Sequence, residues 1–226
     1  MLWLQTLLAC APSDIGANED ELGQPRSLLG DCVQRDLNGE EVHYDSNGYV
    51  AARISGDGTV LTEEHTELDG LGRPLQSERF SPQLGQVILR GQYGYVGETW
   101  QLDSIYEVDG FGEQSTQSYT WVRGAYLVEG DSLCVRYVEL AAGIRPRQAQ
   151  LICDGELVYE ALYTWSNERV TQMRELLHNE PELEFRHRYI YGLEGRLQSV
   201  NVQAGGGGDA DFVDYLELDY TWDCQS

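Results

Sequence analysis

The sequence predicts an all-β protein, built as an array of antiparallel β-hairpins that form a twisted repeat sheet able to curl, with a disordered N-terminal tether. Three observations lead to this fold class. Apolar and polar residues alternate with a period of two over much of the chain, as they do in half-buried strands. Turn-forming Asn-Gly and Asp-Gly pairs recur between the alternating segments. A unit made of an aromatic strand and a glycine-containing turn also repeats along the chain.

Length and composition favour a folded domain. The 226 residues include 41% hydrophobic and 10% aromatic residues, which is enough for a core and unlike a disordered acidic tail. The formal net charge is −23, and all fifteen basic residues are arginines. Such an excess of carboxylates repels nucleic acids and anionic membrane surfaces, so we expect neither as a partner. A basic protein or divalent cations are compatible with this charge.

The apolar start of the chain ends at a cysteine. Cys10 directly follows a Leu-Leu-Ala sequence, and this tetrapeptide resembles a bacterial lipobox, in which the cysteine is lipidated and becomes the mature N-terminus. Residues 1–9 are too few to span a bilayer and lack the usual initial positive charge, so they are interpreted as a truncated signal peptide. Residues 10–30 are polar and aperiodic, as in a flexible lipid-anchored tether, and 31–226 form the folded domain.

The lipobox resemblance implies a protein attached through lipid to a membrane of the bacterial cell envelope, at the outer membrane or the cell surface. The alternative is a chance cysteine after a ragged N-terminus.

The four remaining cysteines predict two disulfides in an oxidising compartment. Cys134 and Cys153 lie symmetrically about a central turn in a strand–turn–strand segment, which would place them opposite each other on a hairpin. Cys32 and Cys224 would then join the start of the folded region to its end. The alternative is four buried free thiols in a cytosolic protein.

Three segments show the alternation most clearly. In 157–165, 183–191 and 212–222, one face carries mainly aromatic and aliphatic residues and the other is mainly polar. Such one-sided faces are typical of antiparallel strands with one side packed and the other wet. The segment 169–178 fits helical spacing about as well as strand spacing, and we favour a strand because it follows the same aromatic-and-turn unit. The glycines at 205–208 are expected to form a flexible loop.

The repeating unit consists of an aromatic or apolar residue, then Asp or a small residue, two variable positions, Gly, and often Arg. It occurs at Glu67–Arg73, Tyr106–Gly112 and Tyr189–Arg196, among others. This pattern resembles the YD repeat of the RHS family, whose signature is Tyr-x-Tyr-Asp-x-x-Gly-Arg. The resemblance covers roughly residues 43–223 and implies arrays of β-hairpins, sometimes spiralling into a shell, on extracellular or toxin-associated proteins. With so few units, we expect this chain not to close a large shell.

Aromatic pairs on successive strands are the candidate binding residues. Rings presented together can form a platform that stacks on sugars or grips a peptide. The alternative is that these rings fill the hydrophobic layer of the sheet. The candidate platform comprises Tyr119, Trp121, Tyr163, Trp165, Tyr189, Tyr191, Tyr220 and Trp222.

No catalytic motif is recognisable in the sequence. The four histidines show neither an HExxH motif nor a Cys/His zinc spacing, and among 38 acidic residues some pair will meet glycosidase spacing by chance. We therefore expect a non-enzymatic protein without metal or cofactor, acting as a binding or structural module with a glycan or protein ligand at the envelope. The alternative is a scaffold or remnant of an RHS-type toxin or secretion system, and a glycan hydrolase is the third hypothesis.

Overall fold

The architecture comes from a computed structural model that describes residues 29–130, 134–141, 145–167, 169–178, 183–206 and 212–224. Within these ranges the chain forms sixteen β-strands, and no helix there is long and apolar enough to cross a membrane. In chain order the strands are β1 Cys32–Asp36, β2 Glu41–Tyr44, β3 Val50–Ile54, β4 Val60–Leu68, β5 Pro74–Ser81, β6 Gln86–Tyr95, β7 Leu102–Asp109, β8 Gln114–Val122, β9 Ala125–Glu129, β10 Cys134–Leu140, β11 Pro146–Cys153, β12 Glu156–Ser166, β13 Arg169–Leu177, β14 Leu183–Tyr191, β15 Leu197–Gly206 and β16 Val213–Cys224.

All sixteen strands belong to one antiparallel sheet that closes into a barrel. Each strand pairs with the next along the chain, and β16 returns to pair with β1, with Gln34 opposite Trp222. The all-β class and the antiparallel hairpins are confirmed, but the expectation of an open, curled repeat sheet was wrong. Closure depends on strand number, twist and stagger, which accumulate over the whole sheet and leave no mark in a single hairpin.

Bulges contribute to the curvature that closure needs. Ten of the sixteen strand pairs contain a register shift, where one strand holds an extra residue against its neighbour. Bulges bend a strand and increase its local twist. Five of the shifts fall beside the last aromatic residue of a strand, at Tyr44, Phe80, Tyr95, Trp165 and Tyr191.

The apolar side of the sheet faces the barrel interior, because within a closed sheet only the inner face is covered by other strands. The largest cluster of buried side chains contains Tyr119, Tyr126 and Tyr159 from β8, β9 and β12. A second cluster is centred on Leu197 and Val200 of β15, and a third lies at the seam between β1 and β16. The alternation predicted from sequence therefore separates an inner packed layer from an outer wet one.

The repeated Asp-x-x-Gly unit is a turn with the same hydrogen bonds at several places. In the turn between β4 and β5, the Asp69 carboxylate accepts the backbone amides of Leu71 and Arg73 at 2.8 and 2.9 Å, and Gly72 adopts a φ of 80°. Aspartate suits the first position because its side chain binds amides that the turn leaves unpaired, and glycine tolerates the left-handed conformation. The same two carboxylate bonds occur in the turns that begin at Asp36, Asp45 and Asp109.

Both predicted disulfides are formed. Cys134 is bonded to Cys153 across β10 and β11, and Cys32 to Cys224 across the closing pair of strands, each with a Cα–Cα distance of 4.1 Å. The first disulfide staples one hairpin, whereas the second holds the seam of the barrel. Cys10 and nearly all of the predicted tether lie outside the described residues, so the lipid anchor stays a prediction.

The structure tests the predictions for two segments, residues 169–178 and 205–208. The segment that fitted both helix and strand spacing forms β13, as favoured. The loop predicted at 205–208 is wrong for its first two residues, because β15 continues through Gly205 and Gly206. The ring of Phe212 lies over Gly205, where a Cβ atom would be 3.1 Å from the ring carbons. Phe212, which lies outside β15, thus covers the strand where it continues through Gly205 and Gly206.

Candidate functional site

The eight residues of the predicted aromatic platform lie on β8, β12, β14 and β16, and their rings turn toward the barrel interior. Tyr119 is buried, and Trp121 packs against Tyr126 with ring centroids 4.8 Å apart. Trp222 stacks on Tyr44 across the seam, at 6.0 Å. The remaining members, Tyr163, Trp165, Tyr189, Tyr191 and Tyr220, are half-buried. This arrangement is the one expected if the rings fill the layer of the sheet.

The indole nitrogens of the platform have structural partners. In each Tyr-Thr-Trp sequence, the tryptophan near the end of one strand donates to the carbonyl of the residue that opens the preceding strand. These bonds are Trp121 Nε1 to Leu102 O at 2.7 Å, Trp165 Nε1 to Pro146 O at 2.6 Å and Trp222 Nε1 to Leu197 O at 2.6 Å. Each indole N–H group is therefore already used within the protein and does not point to a ligand.

Arginines cover several of the aromatic rings at the same end of the barrel. Guanidinium carbons lie over rings in the pairs Arg73–Tyr95 at 4.5 Å, Arg145–Trp165 at 5.9 Å and Arg169–Tyr191 at 5.5 Å. Burial disfavours the charged form of Asp69, yet hydrogen bonds from the backbone and side chain of Arg73 outweigh it and lower the pKa of that carboxyl. Arg73 therefore joins the turn between β4 and β5 to the ring of Tyr95 on β6.

A buried carboxylate occupies the interior near β12–β14. The Tyr159 hydroxyl donates to Glu175 Oε1 at 2.7 Å, and His187 Nε2 lies 2.5 Å from Glu175 Oε2. Burial raises the pKa of Tyr163 and of Tyr189, and the negative charge of Glu175 raises both further. Both carboxylate oxygens have partners, as a buried charge requires. The sequence did not reveal the pairing of His187 with Glu175, because the two residues are twelve positions apart in the chain.

A second ionic cluster lies on the inner face of β3–β5. Glu64 Oε1 is 3.4 Å from Arg53 Nε, and Glu64 Oε2 accepts a hydrogen bond from Arg79 Nη2 at 3.2 Å. One carboxylate thus joins side chains of the two neighbouring strands. The cluster brings charges of opposite sign together in this polar part of the interior.

The outer face carries a groove of about 790 Å³ across β13–β16. Two cross-strand rows line it, and residues paired directly across antiparallel strands point to the same face. One row is Gln172, Arg188, Asn201 and Glu217, and the other is Arg174, Arg186, Gln203 and Asp214. The intervening Met173, His187 and Val202 direct their side chains inward. The groove is therefore lined mainly by guanidinium, amide and carboxylate groups, and the exposed Tyr215 and Leu216 of β16 also belong to its lining.

One wall of the groove is positively charged and firmly held. Glu184, only 4% exposed, accepts hydrogen bonds from Arg174 Nε at 2.7 Å and Arg186 Nε at 2.8 Å. The hydrogen bond from Arg174, reinforced by Arg186, lowers the pKa of this carboxyl despite its burial. The Arg186 guanidinium also lies 3.7 Å from the centroid of the Phe212 ring. These contacts restrict two long side chains that would otherwise be mobile.

The opposite wall is negatively charged. Asp214 accepts a hydrogen bond from Gln203 Nε2 at 3.0 Å, and Glu217 is exposed at the end of the first row. Among the described residues, no group of three or more His, Cys, Asp or Glu could hold a metal ion. Asp214 and Glu217 on β16 are separated from the arginines of β13 and β14 by β15.

Sequence reasoning missed this groove because its members come from four strands and meet only through register. Arg186 and Arg188 were identified merely as part of a polar strand face. The one available signal was the concentration of three of the fifteen arginines between residues 174 and 188.

Comparisons with known proteins identify no family. No protein-family model matches the chain, and no curated protein sequence matches it. A porin-like protein from Bacteroides uniformis is similar in structure, with a TM-score of 0.47 and 10% identity over 89% of this chain and 99% of that chain. TcdB2-TccC3 without its hypervariable C-terminal region gives a TM-score of 0.27 and 13% identity, over 73% of this chain and 12% of that chain. The Photorhabdus luminescens Tc holotoxin pore gives 0.21 and 11%, over 83% and 16%. Similarities this low assign neither a family nor a function.

Proposed function

We propose that this protein is a non-enzymatic binding or structural module of the bacterial cell envelope, held to a membrane by lipid at Cys10 and binding an extended polar ligand in the outer groove of β13–β16. The observation that carries the proposal is the groove itself. It is the place where guanidinium, amide and carboxylate groups converge on the wet face, whereas the aromatic rings are used in the interior.

The closed barrel supports a rigid platform for such a ligand. A sheet joined to itself by hydrogen bonds and by Cys32–Cys224 has no free edge, so the rows that line the groove keep their spacing. A binding site whose groups are already in place loses less entropy when the ligand binds.

The polar outer face supports anchoring rather than insertion. Charged side chains such as Glu63, Glu78, Arg90 and Glu160 lie on this face. Barrels that span a bilayer have the opposite arrangement, with apolar residues outside and polar residues inside. A lipid at Cys10 would hold this barrel beside the membrane.

Arrays of glycans and peptides probed with the full-length protein test the binding function. We expect a ligand whose signal falls when Arg188, exposed in the groove, is replaced in Arg188→Gln. Arg90→Gln is the matched control, because Arg90 is an exposed arginine on the outer face of β6, far from the groove in strand order. Absence of any ligand, or equal loss in both variants, would contradict the proposal.

Mass spectrometry of the protein recovered from a bacterial membrane tests the anchor separately. We expect a mature chain that begins at Cys10 with the added mass of lipid. An unmodified chain that begins at Met1 would exclude the lipid anchor.

The alternative function is a scaffold in an RHS-type toxin or secretion system. The observation that favours it is the recurrence of one turn, with Asp first and a left-handed Gly fourth, in at least four hairpins. Genes for a toxin or secretion apparatus beside this one, together with the capture of their products by the barrel, would support the scaffold function.

A further inference from the structure

We infer that the groove binds a zwitterionic, peptide-like ligand, with the ligand carboxylate at Arg188 and its ammonium group at the wall formed by Asp214 and Glu217. This inference rests on the proposed binding function and specifies its ligand. The charges of the groove, their separation and the groups between them each support it.

The charge order follows from the register. In the first row, Arg188 of β14 pairs with Asn201 of β15, which pairs with Glu217 of β16. Adjacent strands are about 4.8 Å apart, so the cationic and anionic positions are separated by roughly 10 Å across the groove. The side-chain amide of Asn201 lies between them.

The cationic wall is centred on Arg188. Arg174 and Arg186 are engaged with the carboxylate of Glu184. Arg188 is exposed, and no ion pair to it is seen within the described part of the chain. Planar guanidinium groups match a carboxylate in two parallel hydrogen bonds, so this wall is suited to the anionic end of a ligand.

Asp214 and Glu217 of the anionic wall form no ion pair among the residues that the structure describes. Strand β16 carries Asp214, Glu217, Asp219 and Asp223 and no basic residue. Asp214 is hydrogen-bonded by a neutral amide, which leaves its charge uncompensated. A purely anionic ligand long enough to reach β16 would be repelled there, whereas an ammonium group would be attracted.

The distance and the middle of the groove fit a short peptide. An extended chain covers about 3.3–3.6 Å per residue, so the two charged ends of a tripeptide are roughly 10 Å apart. Gln172, Asn201 and Gln203 offer both donors and acceptors to the N–H and C=O groups between those ends. A neutral glycan could use the amides but would leave both charged walls unpaired.

Isothermal titration of the full-length protein with Ala-Ala-Ala tests the inference. The probes are the free tripeptide, its N-acetylated form and its C-amidated form. We expect the free tripeptide to bind, and each blocked form to bind about tenfold more weakly or worse, because each loses one charge-assisted contact. Equal affinity for all three forms would overturn the inference.

Variants locate the two charges. Arg188→Gln should abolish the advantage of a free carboxylate, and Glu217→Gln should reduce that of a free ammonium group. The exchange Arg188→Glu with Glu217→Arg should restore binding, since the tripeptide can enter in the opposite direction. Arg90→Gln, outside the groove, should bind as the unaltered protein does. All substituted positions are exposed or on the surface, and thermal unfolding confirms that each variant is folded.

The outcomes separate the two proposals. If Ala-Ala-Ala fails to bind but a ligand from the glycan array does so through Arg188, the binding function holds and the zwitterionic ligand is excluded. If neither tripeptide nor any array ligand binds, both proposals fail.

Discussion

Removing the Cys32–Cys224 disulfide should destabilise the protein more than removing Cys134–Cys153. The two bonds have the same Cα–Cα distance, but they close very different lengths of chain, with sequence separations of 192 and 19. A disulfide limits the freedom of the unfolded chain, and the effect grows with the logarithm of loop length. The chain-entropy relation gives about 5 kcal/mol for the seam and about 3 kcal/mol for the hairpin.

A comparison of each alanine variant with the unaltered protein would mix the loss of a disulfide with the loss of packing where the sulfur atoms are removed. Each variant is therefore compared with itself, oxidised and reduced. In Cys134→Ala/Cys153→Ala only the seam disulfide is left, and in Cys32→Ala/Cys224→Ala only the hairpin disulfide is left. The free energy of unfolding is obtained from denaturant titrations of each variant, oxidised and then reduced. The loss on reduction belongs to one disulfide, because the folded packing of each variant is otherwise the same.

We expect the loss on reduction to be about 2 kcal/mol larger for the variant that retains the seam disulfide. Hydrogen exchange should also locate the change, with the amides of β1 and β16 losing protection first, since β1 has only five residues in register with β16. An equal loss in both variants, or a larger one at the hairpin, would refute the reasoning from loop length.

Three further predictions concern a turn, an indole and a carboxylate. Gly72→Ala should reduce the free energy of unfolding by about 1–2 kcal/mol, because its φ of 80° strains any side chain. Trp165→Phe should cost about 1–3 kcal/mol by leaving the buried carbonyl of Pro146 without its donor. Glu184→Gln should cost about 2 kcal/mol at neutral pH. Because the folded pKa of Glu184 lies below its ordinary 4.5, its contribution is present above that value and is lost as pH falls through the folded pKa.

Each of these variants has a control. Gly70→Ala lies in the same turn without a positive φ or a close neighbour, and should be nearly neutral in the same denaturant titration. Trp100→Phe removes an indole for which no hydrogen bond is seen in the described residues. For Glu184→Gln, the difference from the unaltered protein should shrink in acid; a difference independent of pH would show that charge is not its origin.

Local features of the fold could be predicted because their causes lie within a few residues. Alternation predicted strands at 157–165, 183–191 and 212–222, and β12, β14 and β16 cover these segments. The packed face is incomplete in β16, whose first five residues are exposed on both faces. The turn at Asp69 was predictable because the aspartate binds amides two and four residues ahead. The pairing of Cys134 with Cys153 followed from their symmetry about one hairpin.

The candidate site could not be predicted in the same way. Arg188 and Glu217 are 29 positions apart in sequence, and they share a row only because two strand pairs have a particular register. That register shifts at a bulge beside Val202, which no turn motif announces. For the same reason the partnership of Glu184 with Arg174, across β13 and β14, was invisible in the chain.

By itself, the sequence determined which side of the most regular strands is apolar, where the chain turns and that Cys134 meets Cys153, since these depend on nearest neighbours along the chain or across one hairpin. The pairing of Cys32 with Cys224 followed only because these two cysteines were left over. Only the tertiary structure decided that the sheet closes, that the aromatic side lies inside, and that arginines of β13 and β14 face acids of β16. Those properties arise from twist, bulges and register added over sixteen strands, and such sums have no local signature in the amino-acid sequence.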